Sequence, residues 1–375
     1  MDYPQLAFLR VLPSHRGGNP ALCLPAPPTG GKSASKGIYA YRWDAASGTL
    51  APLGLAVRTA SPTFLALPPD RRSLYAANEI SDFGGARDGS ASAFSLDQLS
   101  GELTLKNVVS SGGAGPCNIA VDHTGKVAFV ADGAGGSLAS YRVLSDGRLS
   151  DPVSNFHFPG QSVNPIRQKA AYTHCATVSP GNRYVLVNDL GLDRITTFQF
   201  DTSTAILTPN GSAFYQALPG SGPRSLTFHP NRRWAYSVNE ILSTVDALAW
   251  DKQHGTLARL QNLPTAPSGF TGTNLPATVR VDRSGRFLYI SNRGANTIGV
   301  FAIDQTQGTL EQIQQVLCGG SAPRHFALDP SERWLLAANQ ASASITILRR
   351  ASRTGLLTPS DNRCELESPM FLIFV

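Results

Sequence analysis

The sequence predicts an all-β protein, a seven-bladed β-propeller of four-stranded antiparallel blades, and three observations support this fold class. A two-strand hairpin motif recurs six times, about 50 residues apart. A Gly-x-Leu turn motif or its relic recurs seven times, and the last residues of the chain repeat the first strand of the hairpin motif. Units of about 50 residues with four short strands are typical of propeller blades, and no helical periodicity of useful length appears.

Each hairpin motif contains an apolar strand, a polar turn, and an aromatic-rich strand that ends in a polar residue. The six copies are SPTFLALPPDRRSLYAANE (61–79), GPCNIAVDHTGKVAFVAD (115–132), YTHCATVSPGNRYVLVND (172–189), GPRSLTFHPNRRWAYSVNE (222–240), LPATVRVDRSGRFLYISNR (275–293) and APRHFALDPSERWLLAANQ (322–340). In an antiparallel hairpin, the start of the first strand and the end of the second lie at the same edge. Each copy is therefore expected to bring its first and last polar side chains together.

The turn motif gives an independent count of the blades. Its seven copies are SGTL, SGEL, DGRL, TAIL, HGTL, QGTL and TGLL, which end at Leu50, Leu103, Leu149, Leu207, Leu257, Leu310 and Leu357. Seven turns with only six internal hairpins leave one blade to be completed by the two ends of the chain. We therefore expect residues 367–375 to supply its first strand and residues 37–43 and 49–56 to supply two others. Pairing both ends in one blade removes open sheet edges that would favour aggregation.

Residues 19–31 stand where the second strand of this closing blade is needed, although their prolines cannot donate to a strand ladder. The domain prediction is a single propeller over residues 19–375. Residues 1–18 have no counterpart in the repeat, and we expect them to be divergent, disordered or only loosely attached.

Composition and charge exclude several classes of protein. The formal net charge is +6, but no block of five or more Lys and Arg occurs, so a nucleic-acid partner is not expected. The five cysteines have no CxxC spacing, which argues against a disulfide framework or a zinc site and favours a reducing compartment. No signal peptide and no run of 18 apolar residues is present, so we expect a cytoplasmic protein without a membrane partner. The oligomeric state is left open.

Candidate functional residues follow from the geometry of a propeller, in which the first strand of each blade lines the central channel. One mouth is then surrounded by first-strand starts, which are Thr63, Cys117, His174, Arg224, Ala277 and Arg324, with His325 next to the last. The second-strand ends at the same mouth are Glu79, Asp132, Asp189, Glu240, Arg293 and Gln340. Strand ends are often polar simply because they meet water. Three arginines at one mouth nevertheless indicate an anionic ligand, because guanidinium binds phosphate or carboxylate in a bidentate manner.

The chain also lacks the signatures of other chemistries. No phosphate-binding loop, dinucleotide-binding fingerprint or nucleophile elbow is present, so neither a cofactor nor a serine nucleophile is predicted. The remaining histidines lie in predicted turns and loops without ligand spacing, and no metal site is predicted.

Several segments carry a resemblance to a known family. They are KGIYAYRWD (36–44), PTFLALPPDRRSLYAANE (62–79), GAGPCNIAVD (113–122), VNDLGLDRITTF (187–198), GSGPRSLTFHPNRRWAYSVNE (220–240), GRFLYISNRG (285–294) and PRHFALDPSERWLLAANQ (323–340). In this order and spacing, residues 36–375 resemble the lactonase family of seven-bladed propellers. That family includes bacterial 6-phosphogluconolactonases and fungal-type carboxy-cis,cis-muconate cyclases.

The resemblance implies site residues. The cyclase branch is associated with a histidine, two arginines and a glutamate at one channel mouth. By the resemblance these are His174, Arg224, Glu240 and Arg293, with Arg324 as the alternative second arginine. Tyr172, Asn118 and Ser225 stand where the family often has further histidines.

Three functional hypotheses follow. The first is cofactor-independent hydrolysis of a sugar lactone with an anionic group, with 6-phosphogluconolactone as the first candidate. It assigns phosphate binding and oxyanion stabilisation to Arg224, Arg293 and Arg324, and the general base to His174 or Glu240. The predicted catalytic residues are thus His174, Arg224, Glu240 and Arg293, and the predicted substrate-binding residues are Arg324, His325, Asp189, Glu79 and Gln340. The alternatives are a lactone-forming cycloisomerase acting on a carboxylated muconate and a non-catalytic binding propeller.

Overall fold

The computed structural model describes residues 21–25 and 36–375 except Leu99, and these residues confirm the predicted fold. They form seven four-stranded antiparallel sheets. The innermost strand of each sheet contacts the innermost strands of the two neighbouring sheets, so the sheets form a closed ring of blades. The predictions for residues 1–18 and for the segment after residue 25 lie outside the described residues, and the domain boundary at residue 19 stays a prediction.

The strands occupy four positions in each blade. The innermost strands are β4 (Pro62–Ala66), β8 (Pro116–Val121), β12 (Thr173–Val178), β16 (Pro223–Phe228), β20 (Leu275–Val281), β24 (Pro323–Leu328) and β28 (Pro369–Ile373). The second strands are β5 (Ser73–Asn78), β9 (Val127–Asp132), β13 (Tyr184–Asp189), β17 (Trp234–Asn239), β21 (Phe287–Arg293), β25 (Trp334–Asn339) and β1 (Ala21–Pro25).

The two outer positions complete each blade. The third strands are β6 (Ser90–Leu96), β10 (Ser137–Arg142), β14 (Arg194–Phe200), β18 (Thr244–Asp251), β22 (Thr297–Ile303), β26 (Ser344–Arg350) and β2 (Gly37–Asp44). The outermost strands are β7 (Leu103–Ser110), β11 (Ser154–His157), β15 (Leu207–Gln216), β19 (Thr256–Pro264), β23 (Leu310–Leu317), β27 (Leu357–Glu365) and β3 (Thr49–Arg58). A short 3₁₀ helix, Phe83–Gly85, lies between β5 and β6.

The closing blade combines both ends of the described chain, as predicted. Strand β1 lies between β28 and β2 and pairs with both in antiparallel register. Its last residue, Pro25, lies opposite Pro369 after a register shift. A proline at the end of a strand interrupts the ladder less than one in its middle, which explains how this segment serves as a second strand.

The core lies between the blades rather than inside them. One buried cluster joins the blades of β16 and β20 and contains Tyr236, Val245, Leu288 and Phe301, all of them fully buried. Because both faces of each blade pack against a neighbouring blade, the second strands are nearly continuous apolar runs, as the sequence shows.

The two motifs that repeat in the sequence contact each other across the blade interfaces. The hydroxyl of Tyr236 in β17 donates to the carbonyl of Gly308, in the turn motif of the next blade, at 3.0 Å. Tyr289 donates in the same way to Gly355 at 2.8 Å. Gly308 has a φ of 76°, and a Cβ there would lie 2.4 Å from the ring of Trp234. Glycine is required by the close approach of the aromatic ring and by the positive φ.

Candidate active site

One backbone hydrogen bond identifies the equivalent second-strand ends. The N–H of Glu240 donates to the carbonyl of Gly222, just before the innermost strand, at 2.7 Å. The same bond is made in other blades by Glu79, Gly133, Leu190 and Gln340. Arg293 lies opposite Leu275, at the start of β20. The predicted positions of Glu79, Glu240, Arg293 and Gln340 at this mouth therefore agree with the structure.

The two aspartates predicted at this mouth lie one position earlier in their strands. Asp132 pairs with Pro116, and Asp189 pairs with Thr173. This is the position that asparagine holds in other blades, such as Asn239 opposite Pro223. The predicted placement of both aspartates is thus corrected by one residue.

Asp189 is committed to its own turn. Its Oδ1 accepts the backbone N–H groups of Tyr172, Gly191 and Leu192 at 2.9, 2.9 and 3.0 Å. Burial raises the pKa of Asp189 to about 6, although these hydrogen bonds act to lower that pKa. Because Oδ1 is occupied by these three backbone N–H groups, the role of Asp189 in binding substrate stays a prediction.

Glu240 is the centre of an arginine cluster. Its Oε1 accepts from Arg167 Nη2 and its Oε2 from Arg293 Nη2, both at 2.5 Å. The Nε of Arg224 lies 2.8 Å from Oε2, an ion pair without the angle of a hydrogen bond. Burial alone would raise the pKa of Glu240, but Arg293 and Arg224 outweigh burial and hold that pKa well below its ordinary value. Glu240 is a permanent carboxylate and a poor proton acceptor.

The guanidinium groups are also anchored to the neighbouring blade. Arg224 Nη1 donates to the carbonyl of Ala277 at 2.5 Å, and Arg293 Nε donates to that of Leu275 at 3.0 Å. Burial and the charge of Arg293 lower the pKa of Arg224, but arginine with a carboxylate alongside stays protonated. Two positive charges are thus held in fixed positions before any ligand arrives.

Arg167 belongs to the cluster although sequence reasoning missed it. It lies in the loop between β11 and β12, which has no counterpart in the other blades and therefore carried no repeat signal. Asn164 Oδ1 accepts the backbone N–H groups of Ile166 and Arg167 at 3.0 Å each, which shapes this loop. The side chain of Arg167 is 42% exposed, more than those of Arg224 and Arg293.

His174 lies on β12 beside this cluster. It is buried, and its ring centroid is 6.2 Å from that of Tyr172. Burial and the nearby charge of Arg224 hold the pKa of His174 well below its ordinary value. The imidazole is therefore neutral at pH 7, and the same shift lowers its basicity.

Three other predicted residues surround the same mouth. Arg324 lines the channel, and no hydrogen bond or ion pair joins its guanidinium to another described residue. Burial raises the pKa of Glu79, while the charge of Arg324 opposes that shift. Gln340 lies at the equivalent strand end of its blade. Its backbone carbonyl accepts a hydrogen bond from Ser368 Oγ at 3.3 Å.

His325 lies one residue deeper than Arg324 on β24. Its Nδ1 accepts the backbone N–H of Leu372 in β28 at 3.1 Å, and its ring lies 4.0 Å from that of Phe371. Burial, with the charge of Arg280 next, holds the pKa of His325 well below its ordinary value. The C-terminal strand therefore positions this histidine in the channel wall.

The central channel contains a cavity of about 540 Å³. His174, Arg224, Arg324 and His325 are among its lining residues. A cavity of this size is within the range of small-molecule sites. No group of His, Cys, Asp or Glu side chains that would hold a metal ion occurs in the part of the chain that the structure describes.

The chain is similar to known proteins in both sequence and fold. A family profile described as "Lactonase, 7-bladed beta-propeller" matches residues 28–374. A Bacillus subtilis protein named 6-phosphogluconolactonase is 31% identical over 344 residues, which cover 92% of this chain and 96% of that protein. A Formosa agariphila protein of the same name is 32% identical over 330 residues, or 87% of this chain and 92% of that one.

A solved structure supports the same assignment. The periplasmic gluconolactonase of Pseudomonas aeruginosa superposes with a TM-score of 0.87 at 31% identity, covering 95% of this chain and 98% of that one. Among the described residues, no helix has the length and apolar character to cross a membrane. The cytoplasmic location stays a prediction.

Proposed function

This chain belongs to the lactonase family of seven-bladed β-propellers, and we propose that it hydrolyses a sugar lactone that carries an anionic group. The first substrate to test is 6-phosphogluconolactone, which the name of the Bacillus subtilis relative indicates. The observation that carries the proposal is the set of three arginines around buried Glu240, beside a neutral histidine at a channel mouth. The lactonase names of the relatives favour hydrolysis over the muconate cycloisomerase reaction.

His174 acts as the general base in this proposal. Its neutral imidazole takes a proton from a water molecule, and the water oxygen attacks the lactone carbonyl carbon. Glu240 is unsuited to this role because its carboxylate is committed to three guanidinium groups. Its task is to hold Arg224 and Arg293 in position.

The attack converts the carbonyl oxygen into an oxyanion. Arg224, whose guanidinium is fixed by Glu240 and the Ala277 carbonyl, supplies preorganised positive charge beside His174. Arg324, which has no ion-pair partner among the described residues, supplies a second guanidinium that is free to turn toward the substrate. Charge placed in advance costs no reorganisation when the oxyanion forms.

Collapse of the tetrahedral intermediate completes the reaction. The bond between the carbonyl carbon and the ring oxygen breaks, and the ring oxygen takes the proton back from His174. The lactone and one water thus become one hydroxy acid, which ionises to its carboxylate. In this proposal Glu79 and Gln340, at equivalent strand ends of their blades, hydrogen-bond sugar hydroxyls.

The test uses freshly prepared 6-phosphogluconolactone and three variants, His174→Gln, Arg224→Met and Arg349→Met. We expect the first two to lower kcat/KM by about 10²-fold or more, because they remove the base and an oxyanion-stabilising charge. Arg349 is exposed on β26, far along its strand from the mouth, and its variant is the control for loss of one positive charge. Melting curves confirm folding of each variant. Hydrolysis at the control rate by both site variants would refute the assignment.

A further inference from the structure

Arg280 is an arginine inside the channel for which the proposed hydrolysis has no use. It lies on β20, three residues beyond Ala277, and Ala277 holds the position in its blade that Arg224 holds in the neighbouring one. Its side chain lines the same cavity as His174 and Arg224. No hydrogen bond or ion pair joins it to another described residue. A half-buried guanidinium without a partner is costly, so the position points to a ligand.

His325 provides a second unpartnered group beside Arg280. Its Nδ1 accepts the Leu372 N–H, so the neutral ring carries its proton on Nε2. This Nε2 is buried and has no hydrogen-bond partner among the described residues, in a residue only 5% exposed. The same cavity contains both His325 and Arg280, which come from the adjacent strands β24 and β20. A buried donor and a free cation therefore lie together in the channel wall.

The charge of the cavity has one sign. Its described lining residues include Arg224, Arg232, Arg280 and Arg324, and they include no aspartate or glutamate. A channel with walls of one charge concentrates ligands of the opposite charge. The ligand expected at Arg280 is an anion.

The positions along the channel define the orientation of a substrate. Arg280 is three strand residues deeper than the position of Arg224, which is about 10 Å at the usual rise of a β-strand. His174 and the arginine cluster around Glu240 require the reacting carbonyl at the mouth. A phosphorylated six-carbon lactone and the flexible arginine side chain together span that distance.

We propose that Arg280 and the Nε2–H of His325 bind the phosphate of the substrate inside the channel, while the lactone ring lies at the mouth against His174. The inference rests on the proposed function and names the residues that select a phosphorylated lactone over a neutral one. It assigns the phosphate to the channel interior rather than to the mouth arginines.

The experiment compares 6-phosphogluconolactone with unphosphorylated gluconolactone in the variants Arg280→Met and His325→Asn. Asparagine keeps an acceptor at the δ position for the Leu372 N–H and removes the Nε2 donor, so the contact with β28 is retained. Charge-assisted hydrogen bonds predict that R280M lowers kcat/KM for the phosphorylated substrate by roughly 10- to 100-fold. Hydrolysis of gluconolactone should change less than threefold, and H325N should show the same selectivity with a smaller loss. R349M is the matched control.

Measuring product binding tests the phosphate site independently of the proposed hydrolysis. Calorimetry with 6-phosphogluconate should show tighter binding than with gluconate, and R280M should abolish the difference. If the protein binds in this way but hydrolyses neither lactone, the proposed function fails and the phosphate site stands. If the protein hydrolyses both lactones and R280M leaves their ratio unchanged, the phosphate site is refuted and the proposed function stands.

Free phosphate is the other source of the same chemistry. If the site serves the substrate, inorganic phosphate competes with 6-phosphogluconolactone, and R280M removes the inhibition. Inorganic phosphate that binds at Arg280 without raising KM would show a site for a free anion and would overturn the proposal.

Discussion

The environment of Glu240 suits a residue that positions arginines and does not suit a general base. Its two oxygens are engaged by Arg167, Arg224 and Arg293, of which Arg224 is itself buried. Removing one partner of a buried ion pair leaves an uncompensated charge, which is strongly destabilising. The carboxylate therefore keeps two like charges close together, and those charges then act on the substrate.

The environment of His174 predicts an unusual pH profile. Its pKa in the folded protein is well below the ordinary value of about 6.5, so the base stays neutral as the pH falls through that value. We expect kcat/KM of the wild type to stay level from pH 7.5 to about pH 5.5, where an unshifted histidine base would lose about tenfold. Initial rates with fresh lactone across this range provide the measurement. A decline with a midpoint near 6.5 would contradict the assignment of His174 or its neutral state.

Folding must be monitored over the same range. Unfolded chains bind protons at His174 and His325 below about pH 6.5, whereas the folded state resists protonation of both. The free energy of unfolding therefore decreases as the pH falls. Melting curves at each pH separate this loss from a change in the base.

At the scale of single residues, the sequence predicted those site residues that occupy equivalent positions in the repeated hairpins. Arg224, Glu240 and Arg293 are hairpin ends, so strand pairing alone brings them to one mouth. Asp189 was misplaced because only the hydrogen-bond register separates it by one residue from the Glu240 position. Arg167 lies in a loop that belongs to one blade, and the importance of Arg280 depends on the absence of partners, which no sequence pattern shows.

At the scale of elements, the contact between Gly308, Trp234 and Tyr236 explains why the repeat is easy to detect in the sequence. In four of the turn motifs the glycine lies against an aromatic ring of a neighbouring blade, namely at Gly48, Gly255, Gly308 and Gly355. The two motifs are therefore maintained together by a single interface.

Gly308→Ala tests this interface, with Gly269→Ala as a matched control. Both glycines have a φ near 77°, but a Cβ at Gly269 meets open space, whereas at Gly308 it lies 2.4 Å from Trp234. The control should lose about 1–2 kcal/mol from backbone strain. G308A should lose about 1–3 kcal/mol more because the ring must shift in a packed interface. Urea unfolding measures both; equal losses would show that the ring accommodates the methyl group.

At the scale of the whole molecule, ring closure depends on one short strand. Strand β28 is the innermost strand of its blade, pairs with β1, and contacts the innermost strands on both sides. It also buries Met370, Phe371 and Leu372 and donates the hydrogen bond that positions His325. Sequence reasoning predicted this closure from the likeness of residues 367–375 to a first strand, and the structure confirms it.

Deletion of residues 368–375 should abolish cooperative unfolding, because it unpairs β1 and exposes two blade faces at once. The control deletes only Phe374 and Val375, which follow the end of β28, and should cost much less. Calorimetric melting of the two truncations measures the difference. A transition of wild-type sharpness and midpoint after the longer deletion would show that the ring stays closed without this strand.

The order of the strands in the closing blade has a consequence for the timing of synthesis. Strand β2 leaves the ribosome more than three hundred residues before β28, its blade-mate on the far side of β1. At usual elongation rates of about 5–20 residues per second, this wait lasts roughly 15–65 seconds. Throughout it, six blades can form while the seventh presents an unpaired edge on the nascent chain. The speed of translation therefore determines how long the incomplete ring can misassemble.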